Sequence, residues 1–301
     1  MEHKFQGVYP ALITPFTSTG ALDVGALKRL IEFQIESGVS GLVPCGTTGE
    51  SPTLSHAEHD RVIELTVQYA DGRLPVIAGT GSNSTSEAIQ LSQHAEQSGA
   101  DAVLLVSPYY NKPTQKGLYL HFSAIAESVS VPCIVYNIKG RTGVNIETET
   151  LVKLMNDHEN IVAVKEASGD IEQMKSVIKD RHEKFLVLSG DDNMTVDLIE
   201  AGGDGVISVA ANLLPRQMQE MVQTALSGDI PKAREMEAKL MPFFKACFLE
   251  TNPIPIKTAM ALNGWCEEIF RLPMCSFYSD DHYEVLKKAL SGLDVPRPKG
   301  K

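Results

Sequence analysis

The chain has 301 residues, 43% hydrophobic and 22% charged, enough for one large α/β domain or two smaller ones with a sizeable core. A net charge of -11 excludes a general affinity for nucleic acid or anionic membrane, which needs a basic surface, yet leaves room for a local basic pocket that takes a small acid. Cys45, Cys133, Cys247, Cys266 and Cys275 form no CxxC pair and no Cys/His spacing of a metal site. They predict reduced thiols, no bound metal and no cofactor. MEHKFQGVYPALITPF lacks the apolar core and cleavage site of a signal peptide, and no apolar run reaches about 18 residues, so a cytoplasmic protein is expected.

Short apolar runs recur at Val8 to Thr14, Val39 to Pro44, Leu74 to Ala78, Ala102 to Val106, Val131 to Tyr136, Ile161 to Lys165, Phe185 to Leu188 and Gly205 to Val209. Each follows the last by roughly 30 residues, the length of a βαβ unit. The gaps hold amphipathic stretches of helical period, such as Asp23 to Ser37 and Ser84 to Ser98. Asp23, Ser55 and Ser84 are candidate N-caps, and the glycines of SGV (37–39), SGA (98–100) and GGD (202–204) mark helix ends. The run of units predicts a (β/α)8 TIM barrel over residues 1–230, with its site at the C-terminal ends of the strands. An open doubly wound sheet would want a glycine-rich phosphate loop after the first strand, and Thr14-Pro15-Phe16 is not one. Leu214 to Ser227 completes the last unit; Pro231 to Leu249, Pro255 to Asn263 and Asp280 to Ser291 read as helices of a C-terminal extension over 231–301, whose PRPKGK tail is expected to fray.

The predicted strand ends carry the chemistry. IVAVKEASGD (161–170) places Lys165 at the end of an apolar, β-branched run. Apolar walls strip hydration from an ammonium, so its pKa falls and a free amine becomes available to attack a carbonyl. The structural alternative is a lysine whose head snorkels to solvent or pairs with Glu166. CGTTGES (45–51) offers backbone N–H groups and the Thr47 and Thr48 hydroxyls to an anion, or is an ordinary glycine turn. SPYYNKPTQKG (107–117) sets Tyr109 and Tyr110 side by side, a pattern of packing or interface as much as of catalysis. YNIKGRTG (136–143) brings a phenol, Tyr136, and a guanidinium, Arg141, beside the lysine strand. SGDD (189–192) and GVISVAAN (205–212) leave room above the strands.

GTTGES, SPYYNKPTQKGLYLHF, YNIKGRTG, KEASGD, LSGDD, GGDGVISVAAN and NPIPIKTA (252–259) resemble, in order and over nearly the whole chain, the dihydrodipicolinate synthase family. The resemblance implies an imine-forming aldol reaction without metal: Lys165 condenses with pyruvate, and the derived enamine attacks L-aspartate 4-semialdehyde, on the diaminopimelate route to lysine. It further implies that Tyr136 donates and accepts protons in a relay with Thr47 and with Tyr110 of a neighbouring subunit. Thr48, the backbone of Ile207 and Gly190 would bind pyruvate, Arg141 the semialdehyde carboxylate. Ser51, Pro52, His56, His59, Asn83, Glu87 and Tyr109 match a site that binds inhibitory lysine in feedback-regulated members, with Asn83 and Glu87 expected one helical turn apart. A homotetramer, a dimer of dimers, is implied. The related N-acetylneuraminate lyases share the lysine but usually carry serine at the position of Thr47 and lack the arginine; a non-catalytic pyruvate or lysine sensor should lack part of the relay. Ile138-Lys139 stand where the family commonly has Val-Pro, which predicts a looser turn before Arg141.

Overall fold

The computed structural model describes residues 5–298. Strands β1 (Gly7–Pro10), β2 (Ile77–Gly79), β3 (Ala102–Val106), β4 (Cys133–Asn137), β5 (Ile161–Glu166), β6 (Leu186–Ser189) and β7 (Gly205–Ser208) form a parallel seven-stranded sheet in the order β1-β7-β6-β5-β4-β3-β2. The predicted strand Val39 to Pro44 is the one that forms no regular ladder. It joins the two edges through isolated bridges, Ala11 to Val43 and Leu42 to Val76. Backbone bonds reach both ways from it: Val43 N donates to Pro10 O (3.0 Å), and Ile77 N to Leu42 O (2.9 Å). Within it only glycine fits at position 41, since a Cβ there would lie 2.3 Å from the Tyr9 ring.

Alternation along each strand sorts the core into layers. Tyr9, Ala11, Val43, Ile77, Leu104, Ile134, Tyr136, Ala163, Leu186 and Ile207 meet in an inner cluster to which all eight segments contribute. The opposite faces, among them Val103, Val135, Val164 and Val187, pack on helices. Strands covered on both faces explain the near-continuous apolar runs of the sequence.

The helices are α1 (Val24–Glu36), α2 (His56–Ala70), α3 (Thr85–Gln97), α4 (Gln115–Ala126), the short α5 (Lys139–Thr142), α6 (Thr148–Asp157), α7 (Ile171–Asp180), α8 (Thr195–Glu200), α9 (Pro215–Leu226), α10 (Ile230–Ala246), α11 (Ile254–Leu262) and α12 (Asp280–Ser291). Asp23 caps α1 through Ala26 N, and Ser55 opens α2 with a full capping box to Glu58. Ser84 precedes α3 as expected but makes no side-chain cap; its hydroxyl bonds to Ser86 instead. Gly38, Gly99 and Gly202 take positive φ at the helix ends, where L side chains are strained. Helices α10 and α12 share one apolar cluster with α9 and the outer face of β1. Among the described residues, no helix is long and apolar enough to cross a membrane.

Candidate active site

At the C-terminal end of the sheet, register fixes the neighbours: Tyr136 on β4 pairs with Lys165 on β5, which pairs with Leu188 on β6. The Lys165 side chain points into the inner layer, 6% exposed, with Nζ 4.1 Å from the centre of the Tyr136 ring. Glu166, one residue on, faces the other way. There it accepts from Asn137 Nδ2 (3.2 Å), Ser168 N (2.8 Å) and Gln173 Nε2 (3.1 Å), so it is a partner of the helical layer and not of Lys165. The snorkelling and ion-pair alternatives for Lys165 both fail on this geometry.

Burial lowers the Lys165 ammonium to about 8; the Asp191 and Asp192 charges pull it back up, and Arg141 pushes it further down. Burial pushes the Tyr136 phenol up, with Asp191 adding to the effect and Arg141 and Thr47 opposing it, so the phenol keeps its proton at neutral pH. Asp192, pushed up to about 6 by burial, is held by Ser208 Oγ (2.5 Å) and Ala210 N (2.8 Å). The arrangement offers an amine that is partly free near neutrality next to a protonated phenol. That combination suits attack on a ketone followed by loss of water.

Lys165, Tyr136, Thr47, Thr48, Arg141, Gly190 and Ser51 line one pocket. Gly190 is required there: a Cβ at this position would lie 2.6 Å from Ala167 Cβ and 3.0 Å from Lys165 Cε. The Thr47–Gly49 turn is anchored from beneath by Glu50, in the left-handed region at φ 54°, whose carboxylate meets Lys257 Nζ at 2.6 Å, both side chains fully buried. In the turn around Arg141 the Thr142 hydroxyl lies within hydrogen-bond distance of Ile138 O (3.0 Å) and Val144 O (2.9 Å), and Gly143 closes it at positive φ.

Two site candidates stand apart from this pocket within one chain. Tyr110 is 90% exposed, at φ 72°, with its ring directed away from the fold. Ile207 lies buried in the inner layer, in register with Tyr9; Val209 forms the pocket wall on that side. The pocket also contains residues to which the sequence reading gave no role, notably Cys45, Asp191, Phe248 and Asn252.

A second cluster sits beside the pocket. His56 Nε2 is 2.9 Å from Glu87 Oε1, and Ser82 Oγ bonds the other Glu87 oxygen, together holding that carboxyl below its usual range. Asn83 Nδ2 donates to Tyr109 O (3.1 Å). Asn83 precedes α3 and does not ride on it, so it and Glu87 do not sit one helical turn apart as expected. His59 is buried, its Nε2 2.8 Å from Gly79 O, and burial lowers its pKa. Its charge still reaches Glu87, as the effect of His59 on that carboxyl shows. Ser51 and Pro52 form the short turn between pocket and cluster.

The model of the dihydrodipicolinate synthetase family matches residues 4–293. A 4-hydroxy-tetrahydrodipicolinate synthase from Syntrophus aciditrophicus is 55% identical over 97% of this chain and 99% of its own. Among solved structures, the chloride-inhibited dihydrodipicolinate synthase of Acinetobacter baumannii complexed with pyruvate is 44% identical with a TM-score of 0.93, covering 95% of this chain and 98% of its own. That of Cyanidioschyzon merolae with lysine bound is 39% identical with a TM-score of 0.94, over 97% and 99%. With matches of this extent, the chain belongs to the dihydrodipicolinate synthetase family.

Proposed function

We propose that the chain condenses pyruvate with L-aspartate 4-semialdehyde to 4-hydroxy-tetrahydrodipicolinate, through a Schiff base on Lys165. The observation that carries this reading is the buried Lys165 amine, lowered to about 8, 4.1 Å above the Tyr136 ring. The free amine adds to the ketone of pyruvate; the Tyr136 phenol gives a proton to the departing oxygen, water leaves, and a protonated imine remains. The cationic nitrogen draws electrons from the adjacent methyl group, which loses a proton to give an enamine. The enamine carbon bonds to the aldehyde carbon of the semialdehyde, whose oxygen takes up a proton. The amino group of the new chain then attacks the imine carbon, closing the ring and returning the Lys165 amine.

Thr48, Gly190 and the backbone near Ile207 receive the pyruvate carboxylate, and Arg141 the semialdehyde carboxylate. Thr47 relays protons to Tyr136, and the outward Tyr110 completes the relay in a neighbouring subunit of a homotetramer. Among the described residues, those up to 230 form a closed (β/α)8 barrel, the Val39 to Pro44 segment bridging its edges, and those from 231 on form the extension. A cytoplasmic location fits the absence of a membrane-spanning helix among the described residues. Lysine inhibits through the cluster of Ser51, Pro52, His56, Asn83, Glu87 and Tyr109, where a carboxylate and carbonyls suit an ammonium group; His59 supports it from beneath. A dose–response curve flat to millimolar lysine would contradict that inhibition.

The test of the reaction is a comparison of kcat/KM for the semialdehyde, with pyruvate, and for cleavage of N-acetylneuraminate. The semialdehyde is expected to be strongly preferred. A preference for N-acetylneuraminate would make the chain a sugar-acid lyase.

A further inference from the structure

Asn252 lies in the C-terminal extension, between α10 and α11, yet it lines the pocket that holds Lys165. It is 5% exposed and bonded in two directions. Its side-chain Nδ2 donates to Thr48 Oγ1 at 3.0 Å, and its main-chain carbonyl accepts from Arg141 at 3.1 Å. These contacts link three segments far apart in sequence, and they end on the two side chains assigned above to the carboxylates of the two substrates. Asn252 Oδ1 is buried without a hydrogen-bond partner inside the chain.

The direction of the Thr48 bond matters. A hydroxyl has one proton and two lone pairs. Because Asn252 Nδ2 donates to Thr48 Oγ1, one lone pair is occupied and the Thr48 proton is free to point into the pocket, toward an incoming carboxylate. An acceptor in the place of Nδ2 would draw that proton away. The residue is itself braced: Lys257, on the next helix, makes the buried ion pair with Glu50 below the Thr47–Gly49 turn.

We propose that Asn252 is a positioning residue for substrate carboxylates, orienting the Thr48 hydroxyl as a donor to pyruvate and seating Arg141 through its carbonyl. The C-terminal extension is in this way part of the substrate site. The inference rests on the reading of Thr48 and Lys165 given above.

The experiment measures the pyruvate concentration that half-saturates borohydride trapping, in the wild type, Asn252→Ala, Asn252→Asp, Thr48→Val and the double variant Asn252→Ala/Thr48→Val. Loss of one hydrogen bond to a charged ligand predicts a rise of about tenfold in Asn252→Ala. Asn252→Asp, nearly the same shape, offers only acceptors and adds a negative charge, so its rise is expected to be larger. In the double variant the half-saturation should be no worse than in Thr48→Val alone, because the asparagine acts through the threonine. Asn252→Ala keeps the main-chain carbonyl, so KM for the semialdehyde should move far less than the pyruvate value. Wild-type half-saturation in Asn252→Ala or Asn252→Asp, or effects that simply add in the double variant, would overturn the proposal. A wild type that forms no adduct at all would instead remove the Schiff-base reading on which it rests.

Discussion

At the scale of single residues, the proposed chemistry turns on how one amine is kept reactive. Lys165 has lost its water to the inner layer, which lowers its pKa to about 8 despite Asp191 and Asp192 nearby. Its charged form is disfavoured, so the free amine grows as pH rises toward 8 and levels off above it. The rate of imine formation is therefore expected to climb about tenfold between pH 7 and pH 9, as stopped-flow trapping would read it. A profile still rising steeply above pH 10 would mean an ordinary lysine. Tyr136→Phe keeps the ring beside Nζ but removes the proton, and should lower kcat by about a hundredfold or more while leaving the fold intact by circular dichroism. The lysine was legible in the sequence because a cation closing a β-branched run is physically odd. Asn252 was not, because its meaning lies in bonds to Thr48 and Arg141 that only the folded chain creates.

At the scale of elements, the Thr47–Gly49 turn rests on a buried charge pair, half of it supplied from the extension. Glu50 and Lys257 are both fully buried at 2.6 Å, and burial lowers the Lys257 pKa against the pull of Glu50. Removing one partner strands the other charge. Lys257→Met should destabilise the protein by about 3–5 kcal/mol in urea unfolding, and adding Glu50→Gln should recover a large part of that loss. A double variant no more stable than Lys257→Met would show that packing, and not the charge, is what the pair contributes. Secondary structure was readable wherever local chemistry decided it: Asp23 and Ser55 cap as expected, and the glycines after α1 and α3 turn the chain. It was less readable where side-chain and strand partners decided the detail. Ser84 takes the N-cap position of α3 without a side-chain cap, and Val39 to Pro44, strand-like in its residues, makes only isolated bridges to its neighbours.

At the scale of the whole molecule, the exposed Tyr110 is the feature that one chain does not explain. Its ring lies 90% exposed while the rest of the proposed relay is gathered in the pocket. If it completes a neighbour's site, two inactive variants should rescue each other. In a mixed twofold pair of Lys165→Ala and Tyr110→Phe, one of the two sites has both native residues, so random mixing should restore about a quarter of wild-type activity. Mixtures that stay inactive after co-refolding would place the relay within one subunit. An aromatic pair at a turn gives no sign of an assembly; the expectation that Tyr110 serves a neighbouring subunit came from the family resemblance alone.

The most direct measurement is borohydride reduction in the presence of pyruvate, followed by mass spectrometry of the digested protein. The peptide carrying Lys165 is expected to gain a reduced pyruvate adduct, and Lys165→Ala to gain none at any other lysine. Folded wild-type protein without the adduct, or with the adduct on a different lysine, would contradict the imine mechanism.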